Sequence, residues 1–512
     1  MNSVDYDFCI VGSGPTAASI ITNLPISSKI LIIDRGKLPK KQTIILKEEM
    51  NLSDPNDWDL SNFVPKLSPS TKKYYAKPYF SDRYSFNYDK RTETFSPDSV
   101  GLGGFSKVWG ATAFPYLKAD LYYMCKSANI VFSNEFNLID QLLTPISNLG
   151  FKSYIKELYT HFPSNVLEVD RGTVCFEARK LFKFPNTLVL PAVVAVDYGN
   201  VKNKTKGCVK CGICQIGCPY DFIWTSEGYI KSKLEIVKYI KGEVIKCTQN
   251  ADGTESITYQ QETSVLKVTC KKVFLAGGAI SNARILLRSF TKFNSISIKD
   301  NQTNIIAGFS IRKSLPILKD SLAEFFVFDK SRKNQVLSQG QFYTNSKYLQ
   351  VRLLSEYPIL AKIPKFLTEY FFNHFFCGLV FNSQNASGEI IVGNDYNLNI
   401  KTSFTISNLI RSKYRSFRFN FVLLFQGLFV IPFVTRRLGV GGGNHFGSIQ
   451  ADCWTDTDVK EFFTTGKVDR GREIYAFGTA SLPVLVPGPV TYMSMVNTVR
   501  QLNLVVSTGF TC

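Results

Sequence analysis

Residues 7–19 read DFCIVGSGPTAAS, and this stretch decides the fold. An apolar run with β-branched and aromatic residues, Tyr6 to Val11, feeds directly into a glycine turn, Gly12 to Ala18. That is a buried strand followed by a helix start. Gly12 suits the tight turn, and Gly14 lets backbone approach a pyrophosphate. Ala17, in the third small position, lets helix pack on strand, and the helix N-terminus attracts phosphate. KILIIDRG (Lys29 to Gly36) is a second strand that closes on Asp34. That places an acid about 20 residues past the glycines, where it bonds ribose hydroxyls. The opening is therefore a βαβ unit built for a dinucleotide; a purely structural glycine turn is the alternative.

The chain has 512 residues, too many for one ordinary core, so two or more domains are expected. Hydrophobic residues make up 45% and charged residues 20%, a globular composition rather than a disordered or fibrous one. Sixty Lys+Arg against 41 Asp+Glu give a formal net charge of +19. The surplus is scattered through PKLSPSTKKYYAK, IRSKYRSFRF and RRLG rather than set along one helical face, which reads as a basic solvated surface and not a nucleic-acid partner. No secretory pattern opens the chain, because the first apolar run is short and follows Asp5 and Asp7. The longest apolar stretch, FNFVLLFQGLFVIPFV (Phe419 to Val434), is interrupted by Asn420, Gln426, Gly427 and Pro432, and is short for a bilayer span of about 20 residues. Lys37 to Ser99, polar and rich in Tyr, Pro and Ser, reads as long loops or a lid.

Further glycine passages carry a family resemblance. GLGGFSKVWGA (Gly101 to Ala111), LAGGAISNARILLRS (Leu275 to Ser289), GGGNHFGS and the tail YAFGTASLP…GPVTYMSMVNTVRQ stand in the order found in the glucose–methanol–choline (GMC) oxidoreductases. The chain resembles that family from about residue 8 to residue 500, although residues 300 to 440 carry no signature. The resemblance implies an α/β fold: a discontinuous Rossmann-like FAD-binding domain (residues 1–116, 200–295 and 440–512) with a second α+β substrate domain (117–199 and 296–439). It further implies FAD as cofactor, with Gly12, Gly14, Ala17 and Asp34 at the ADP half. Gly103, Gly104, Ser106, Trp109 and Gly110 run along the pyrophosphate and flavin, and Gly478 and Thr491 approach from the tail.

Three histidines exist, His161, His374 and His445. His374, in the aromatic patch EYFFNHFFCG, reads as a satisfied core imidazole; His161, beside Phe162 and Pro163, has no partner pattern. His445 stands in a glycine-rich loop, where a side chain can project into a cleft. Alcohol oxidation needs a base near neutral pKa to take the hydroxyl proton while hydride leaves carbon, and histidine meets that without a large shift. The resemblance puts the catalytic histidine at the same place; a loop histidine bonded to backbone is the alternative. Two departures stand out. The run His445-Phe446-Gly447-Ser448 is one residue shorter than the family's, and VPGPVT (Val486 to Thr491) lacks its usual His or Asn, with Asn444 near but not matching.

The remaining signal is GCVKCGICQIGCPY (Gly207 to Tyr220), with Cys208, Cys211, Cys214 and Cys218 at ferredoxin spacing and Pro219 after the last. Three readings compete: thiolate ligands of an iron–sulfur cluster, a four-thiolate zinc site, or a compact loop of thiols or a redox disulfide without metal. In two-cluster ferredoxins the fourth cysteine serves the other cluster, so here Cys218 must fold back or a remote cysteine such as Cys175, Cys247 or Cys270 must complete the set. Twelve cysteines, four of them clustered, fit a reducing compartment.

The expected activity is therefore oxidation of a CH–OH group on a sugar or other small alcohol by hydride transfer to FAD, with an external electron acceptor. An electron-transfer flavoprotein with a cluster, or an FAD enzyme of another reaction class, are the alternatives. The expected location is the cytoplasm, with a membrane-surface contact considered for the Phe419–Val434 patch, flanked by Arg415, Arg418, Arg436 and Arg437; a buried core helix is the plainer reading of that patch.

Overall fold

Strand β1 (Tyr6–Val11), helix α1 (Pro15–Asn23) and strand β2 (Ile30–Asp34) form the expected βαβ unit, with β1 and β2 parallel and Phe8 opposite Ile30. The computed structural model describes residues 4–36, 99–107, 109–143, 146–148, 166–168, 186–199, 207–214, 218–311, 321–356, 359, 362–393, 400–403, 405–431, 436–437, 440 and 446–507. Apart from Ser99, the loops expected over 37–99 lie outside them, as do His161, Cys175, Asn444 and His445.

Around β1 grows the first sheet. Val237–Lys241 lies beside β2, and Ser264–Leu275 runs parallel to β1 on its other side. The long Ser264–Leu275 strand serves two neighbours: Glu255–Gln261 pairs antiparallel with its first half, and Ile474–Ala476 runs parallel to its last three residues. Glu243–Gln249 closes that antiparallel meander. The Glu255–Gln261 strand, ESITYQQ, went unread in the sequence because only Ile257 and Tyr259 in it are apolar. Both faces of β1 are covered, which is why it reads as a continuous apolar run. Phe8 and Ile10 pack with Ala17, Ile20 and Leu502, between α1 and the final helix Thr491–Ser507. Cys9 and Val11 face the other way, onto Ala283 and Leu286 of helix Ala279–Ser289.

The second sheet is antiparallel and runs Leu428–Val430, Thr303–Ser310, Phe375–Asn382, Val336–Tyr343, Phe325–Lys330, Thr187–Pro191, with Arg436–Arg437 beside Thr303–Ser310. Its inner face presents Phe326 and Phe328 to Phe114 and Tyr492. Its outer face presents Phe325, Phe342 and Phe376 to Phe419, Val422 and Leu423 of helix Ile406–Phe425. A four-stranded sheet, Ile400–Ser403, Glu389–Gly393, Ser295–Asp300 and Phe446–Ala451, carries the chain from one half to the other. The whole is an α/β protein: a Rossmann-like half and an α+β half sharing one interior.

Two aromatic patches resolve differently from their sequence reading. FNFVLLFQGLFVIPFV is not one element: a helix begins well upstream at Ile406 and ends at Phe425, Gly427 turns the chain at φ +78°, and Leu428–Val430 is a strand. FLTEYFFNHFFCGLVF divides at His374, where helix Lys365–His374 gives way to strand Phe375–Asn382. His374 is not a core residue: it is half-buried, its Nδ1 lies 2.9 Å from the Tyr370 carbonyl of its own helix, and its ring lies tilted against Tyr370.

Helix Ile406–Phe425 is fixed to the second sheet by a fork of charge-assisted bonds. Arg418 Nε and Nη2 donate to Asp329 Oδ2 and Oδ1 at 2.7 and 2.8 Å, and the Asp329 side chain is fully buried. Removing one partner of such a pair leaves a buried charge. Arg418→Ala is expected to lower unfolding free energy by about 3 kcal/mol, seen as an earlier midpoint in urea titration, with Arg418→Lys recovering only part of the loss.

Candidate functional site

Three neighbouring parallel strands, β1, Ser264–Leu275 and Ile474–Ala476, end side by side at Val11, Leu275 and Ala476. Each empties into a glycine turn: Gly12–Gly14, Gly277–Gly278 and Gly478. A crevice outside the carboxyl ends of such strands is where α/β sheets bind ligands.

The turns differ in what demands glycine. At Gly12, φ is +104° and a Cβ would lie 2.7 Å from the Ala276 carbonyl oxygen, so no side chain fits. Gly478, at φ +79°, leaves only 2.2 Å to Thr16 Oγ1. Gly14 has an ordinary φ of −73° and nothing within 4 Å of where its Cβ would be. It caps α1 with no side-chain bond to the first amides, so the helix start faces open space. The second helix start, at Gly278, is likewise open and uncapped, its entry turn held by Asn282, which accepts from Gly277 N (3.1 Å) and donates to Leu275 O (3.0 Å).

A buried serine network ties the second glycine passage onto the first. Ser13 Oγ accepts from Gly103 N at 2.9 Å. Ser106 Oγ donates to Gly103 O at 2.6 Å and accepts from Ser226 N at 2.9 Å. The Ser226 hydroxyl lies 2.7 Å from Ser13 O and 2.9 Å from Gly14 O. Gly103, at φ +86°, would place a Cβ 2.8 Å from Glu227 N, and the space above Gly104 ends on Gly14 Cα at 3.1 Å. Ser106, expected at the cofactor, thus holds the loop that would face it. Trp109 is also structural at its polar end: its indole Nε1 donates to Trp224 O at 3.1 Å. Ala17 is fully buried against the sheet, as its small size requires. Gly110 has ordinary room, 3.6 Å to Tyr343 OH. Thr491 opens the final helix, whose Thr498 Oγ1 accepts from Gly478 N at 3.1 Å.

Asp34 closes β2 as expected, and its Oδ1 accepts from Gly36 N at 2.7 Å. Burial pushes its carboxyl up to about 6, against the bonds from Gly36 and Ser13 and the charge of Arg35. For Glu227, burial acts upward, but the charge of Lys107 and bonds from Lys107 and Lys231 outweigh it and hold the carboxyl below its usual range.

Sequence reasoning missed Ser13, Ser226 and a pair of glutamines. Gln339 points from the second sheet toward the loop before the final helix, where a Cβ on Gly488, at φ +129°, would meet Gln339 Oε1 at 1.8 Å, and Gln341 Oε1 lies 3.5 Å from Tyr343 OH. Both glutamine Nε2 atoms are buried without a hydrogen-bond partner among the described residues. Asn301 Nδ2 reaches Val486 O in the same loop at 2.6 Å. Two amides spaced by two in the strand VLSQGQFY, hence on one face, were the available signal. His445 itself lies outside the described residues; the strand after it begins at Phe446, opposite Asp300, and Gly447 packs so closely that a Cβ would lie 2.1 Å from Thr479 O.

This is the fold of the GMC oxidoreductases, the one the glycine passages led us to expect. Pyridoxine 4-oxidase from Mesorbium loti superposes with a TM-score of 0.58 at 12% identity, over 98% of this chain and 99% of that one. Two variants of the Aspergillus oryzae RIB40 formate oxidase, described for their effect on FAD modification, superpose at 0.59 and 0.61, each at 12% identity over 99% of both chains. No protein-family model and no curated protein sequence matches the chain.

The two first-turn glycines make opposite predictions. Gly12→Ala is expected to destabilise the fold by at least about 2 kcal/mol, since strain and a backbone clash combine. Gly14→Ala should leave the melting of cofactor-stripped protein within about 0.5 kcal/mol while cutting bound dinucleotide severalfold, measured as flavin absorbance per chain.

Proposed function

We propose that this chain is an FAD-dependent oxidoreductase that oxidises a CH–OH group of a small alcohol or sugar and passes the electrons to an external acceptor. The observation that carries it is the alignment of three strand ends, each with a glycine turn, in one crevice. The open, uncapped start of α1 at Gly14 suits a pyrophosphate. Asp34, at the tip of β2, suits ribose hydroxyls. The superposable structures support the reading, since both proteins are named as oxidases and one set concerns its FAD. Bound FAD supplies the hydride acceptor. The chain's part is to hold the substrate carbon against it and to take the hydroxyl proton, which we assign to His445. A neutral imidazole accepts that proton near pH 7, so the rate should fall as the imidazole protonates below its pKa. Gln339 and Gln341 offer buried amide donors on the second sheet.

Purified protein should show flavin absorbance that an alcohol or sugar from a substrate panel bleaches anaerobically. His445→Ala should slow that bleaching by about 10²- to 10⁴-fold with flavin retained. Unchanged bleaching in His445→Ala would remove it as the base, and flavin that no alcohol or sugar reduces would overturn the reading.

We also propose that the protein works at an anionic membrane surface. On helix Ile406–Phe425 the solvent face carries Ile410, Tyr414, Phe417 and Phe421, which are 63%, 64%, 71% and 46% exposed, and then Leu424. The spacing of four, three, four and three makes one continuous stripe. Exposed Arg411 and Lys413 border it, and the helix contains no Asp or Glu. Beyond it, exposed Phe429 pairs with Phe309, whose ring meets Phe371 of helix Lys365–His374, with Phe366 and Tyr370 exposed there. An aromatic face with a basic border fits a helix lying in the headgroup region. Arg415 and Arg418 do not contribute, because both turn inward: Arg415 bonds Leu337 O and Ser383 Oγ, and Arg418 bonds Asp329. Among the described residues no helix is long and apolar enough to cross a membrane. Cosedimentation with phosphatidylserine-rich vesicles should fall at least about tenfold in the double variant Phe417→Glu, Phe421→Glu, because each buried ring is worth about 2 kcal/mol. Absence of binding at low salt would dispose of the proposal.

A further inference from the structure

The proposed oxidation leaves the cysteine run without a task. Cys208, Cys211, Cys214 and Cys218 nevertheless converge: all four line one small cavity with Val196, Val209, Tyr220, Phe222 and Ile223. The run therefore folds back on itself, and Cys218 joins the other three. Remote Cys247 and Cys270 are elsewhere, buried in the core of the first sheet.

The loop is shaped around that cavity at a cost in backbone conformation. Lys210 and Asp221 hold φ values of +58° and +56°, unfavourable for residues with side chains, and Gly212 holds +77°. Backbone amides turn toward sulfur: Lys210 N donates to Cys208 Sγ at 3.4 Å and Phe222 N to Cys218 Sγ at 3.3 Å. Such N–H···S bonds stabilise thiolate and tune cluster potential. The loop is hung from the scaffold by Cys208 N to Asp197 O and Asp197 N to Phe222 O, both 2.7 Å.

Spacing separates the metal readings. A single zinc ion draws its thiolates to about 2.3 Å from one point. Among the described residues no three His, Cys, Asp or Glu side chains are gathered closely enough to hold one ion. In a cluster each iron takes one protein thiolate, so four thiols that line one cavity without closing on a single point suit a cluster rather than one ion.

We infer that Cys208, Cys211, Cys214 and Cys218 ligate an iron–sulfur cluster, placed to carry electrons out of the nucleotide crevice. Cys214 shares an apolar cluster with Ala111, Val194, Val196 and Ile223, against which Trp109, Cys208 and Cys218 pack. Ala111 follows the Gly103–Gly110 passage directly, and Trp224 and Ser226 connect Ile223 to the serine network under Gly14. The site is thus joined to the crevice through packed side chains and one short stretch of backbone. Over one turnover the substrate CH–OH becomes C=O, two molecules of a one-electron carrier protein are each reduced once, and two protons leave to solvent. This electron-carrying role rests on the proposed flavin oxidation, whereas the metal site does not.

The test is anaerobic purification, with iron, acid-labile sulfide, zinc and flavin measured on the same sample. About four irons and four sulfides per chain are expected, with an electron paramagnetic resonance signal on dithionite reduction. Reductive titration should take up about three electrons per chain, one beyond the two of a flavin. Cys211→Ser and Cys214→Ser should lose the iron and the third electron while keeping flavin and the far-ultraviolet dichroism of the folded chain. Zinc in place of iron, or flavin-loaded protein that takes up neither iron nor sulfide on anaerobic reconstitution, would overturn the inference. Iron and sulfide without flavin would instead sink the proposed oxidation and leave the cluster standing.

Discussion

The approach of β1 to Ser264–Leu275 governs everything else in this molecule. Where the two strands end, a side chain on Gly12 would sit 2.7 Å from the Ala276 carbonyl. Only a bare backbone lets the turns after both strands lie flat against each other, and only then can Gly478 settle beside Thr16. The crevice results from that closeness. Its floor is main chain, its donors are helix-start amides, and its walls are set by serines bonding to serines rather than by charged side chains.

Much of this was legible in the sequence, and the reason is physical. A strand buried on both faces must be apolar throughout, a turn with positive φ must be glycine, and a helix packed tightly on a strand must carry alanine, so Phe8–Val11, Gly12 and Ala17 announce themselves. Residues that act by bonding one another do not. Ser13, Ser106 and Ser226 are ordinary serines until the fold brings positions about 90 and 210 apart in the chain together. The arginines flanking the aromatic patch misled for a similar reason: whether Arg418 faces solvent or Asp329 depends on a strand some 90 residues away. The aromatic stretches were misdivided because adjacent aromatics satisfy helix and strand patterns alike. In Lys365–Asn382 the switch occurs where the antiparallel partners Thr303–Ser310 and Val336–Tyr343 become available on both sides.

The cysteine loop shows how the two halves of the reading depend on each other. Ferredoxin spacing alone left three chemistries open. Convergence of the four thiols on one cavity, together with left-handed backbone at Lys210 and Asp221, narrows them. A loop of thiols with no occupant would gain nothing from those conformations, each of which costs about 1 kcal/mol or more. The loop's position, between the Gly103–Gly110 passage and the Ser226 helix start, also gives it an address that composition could not supply.

The strand Val336–Tyr343 has a consequence of its own. Gln339 meets Gly488 and Tyr343 meets Gly110, whereas the even-numbered Gly340 and Phe342 face the amphipathic helix, with a Cβ on Gly340 meeting Phe419 at 2.7 Å. One ribbon thus carries two independent texts, read by parity. Changes at odd positions would alter the packing against the Gly110 and Gly488 loops, changes at even positions would alter how the helix is seated, and neither kind need disturb the other. A single inserted residue would exchange the two texts at once. In a lineage of such proteins, substitutions should therefore accumulate here, and insertions should not.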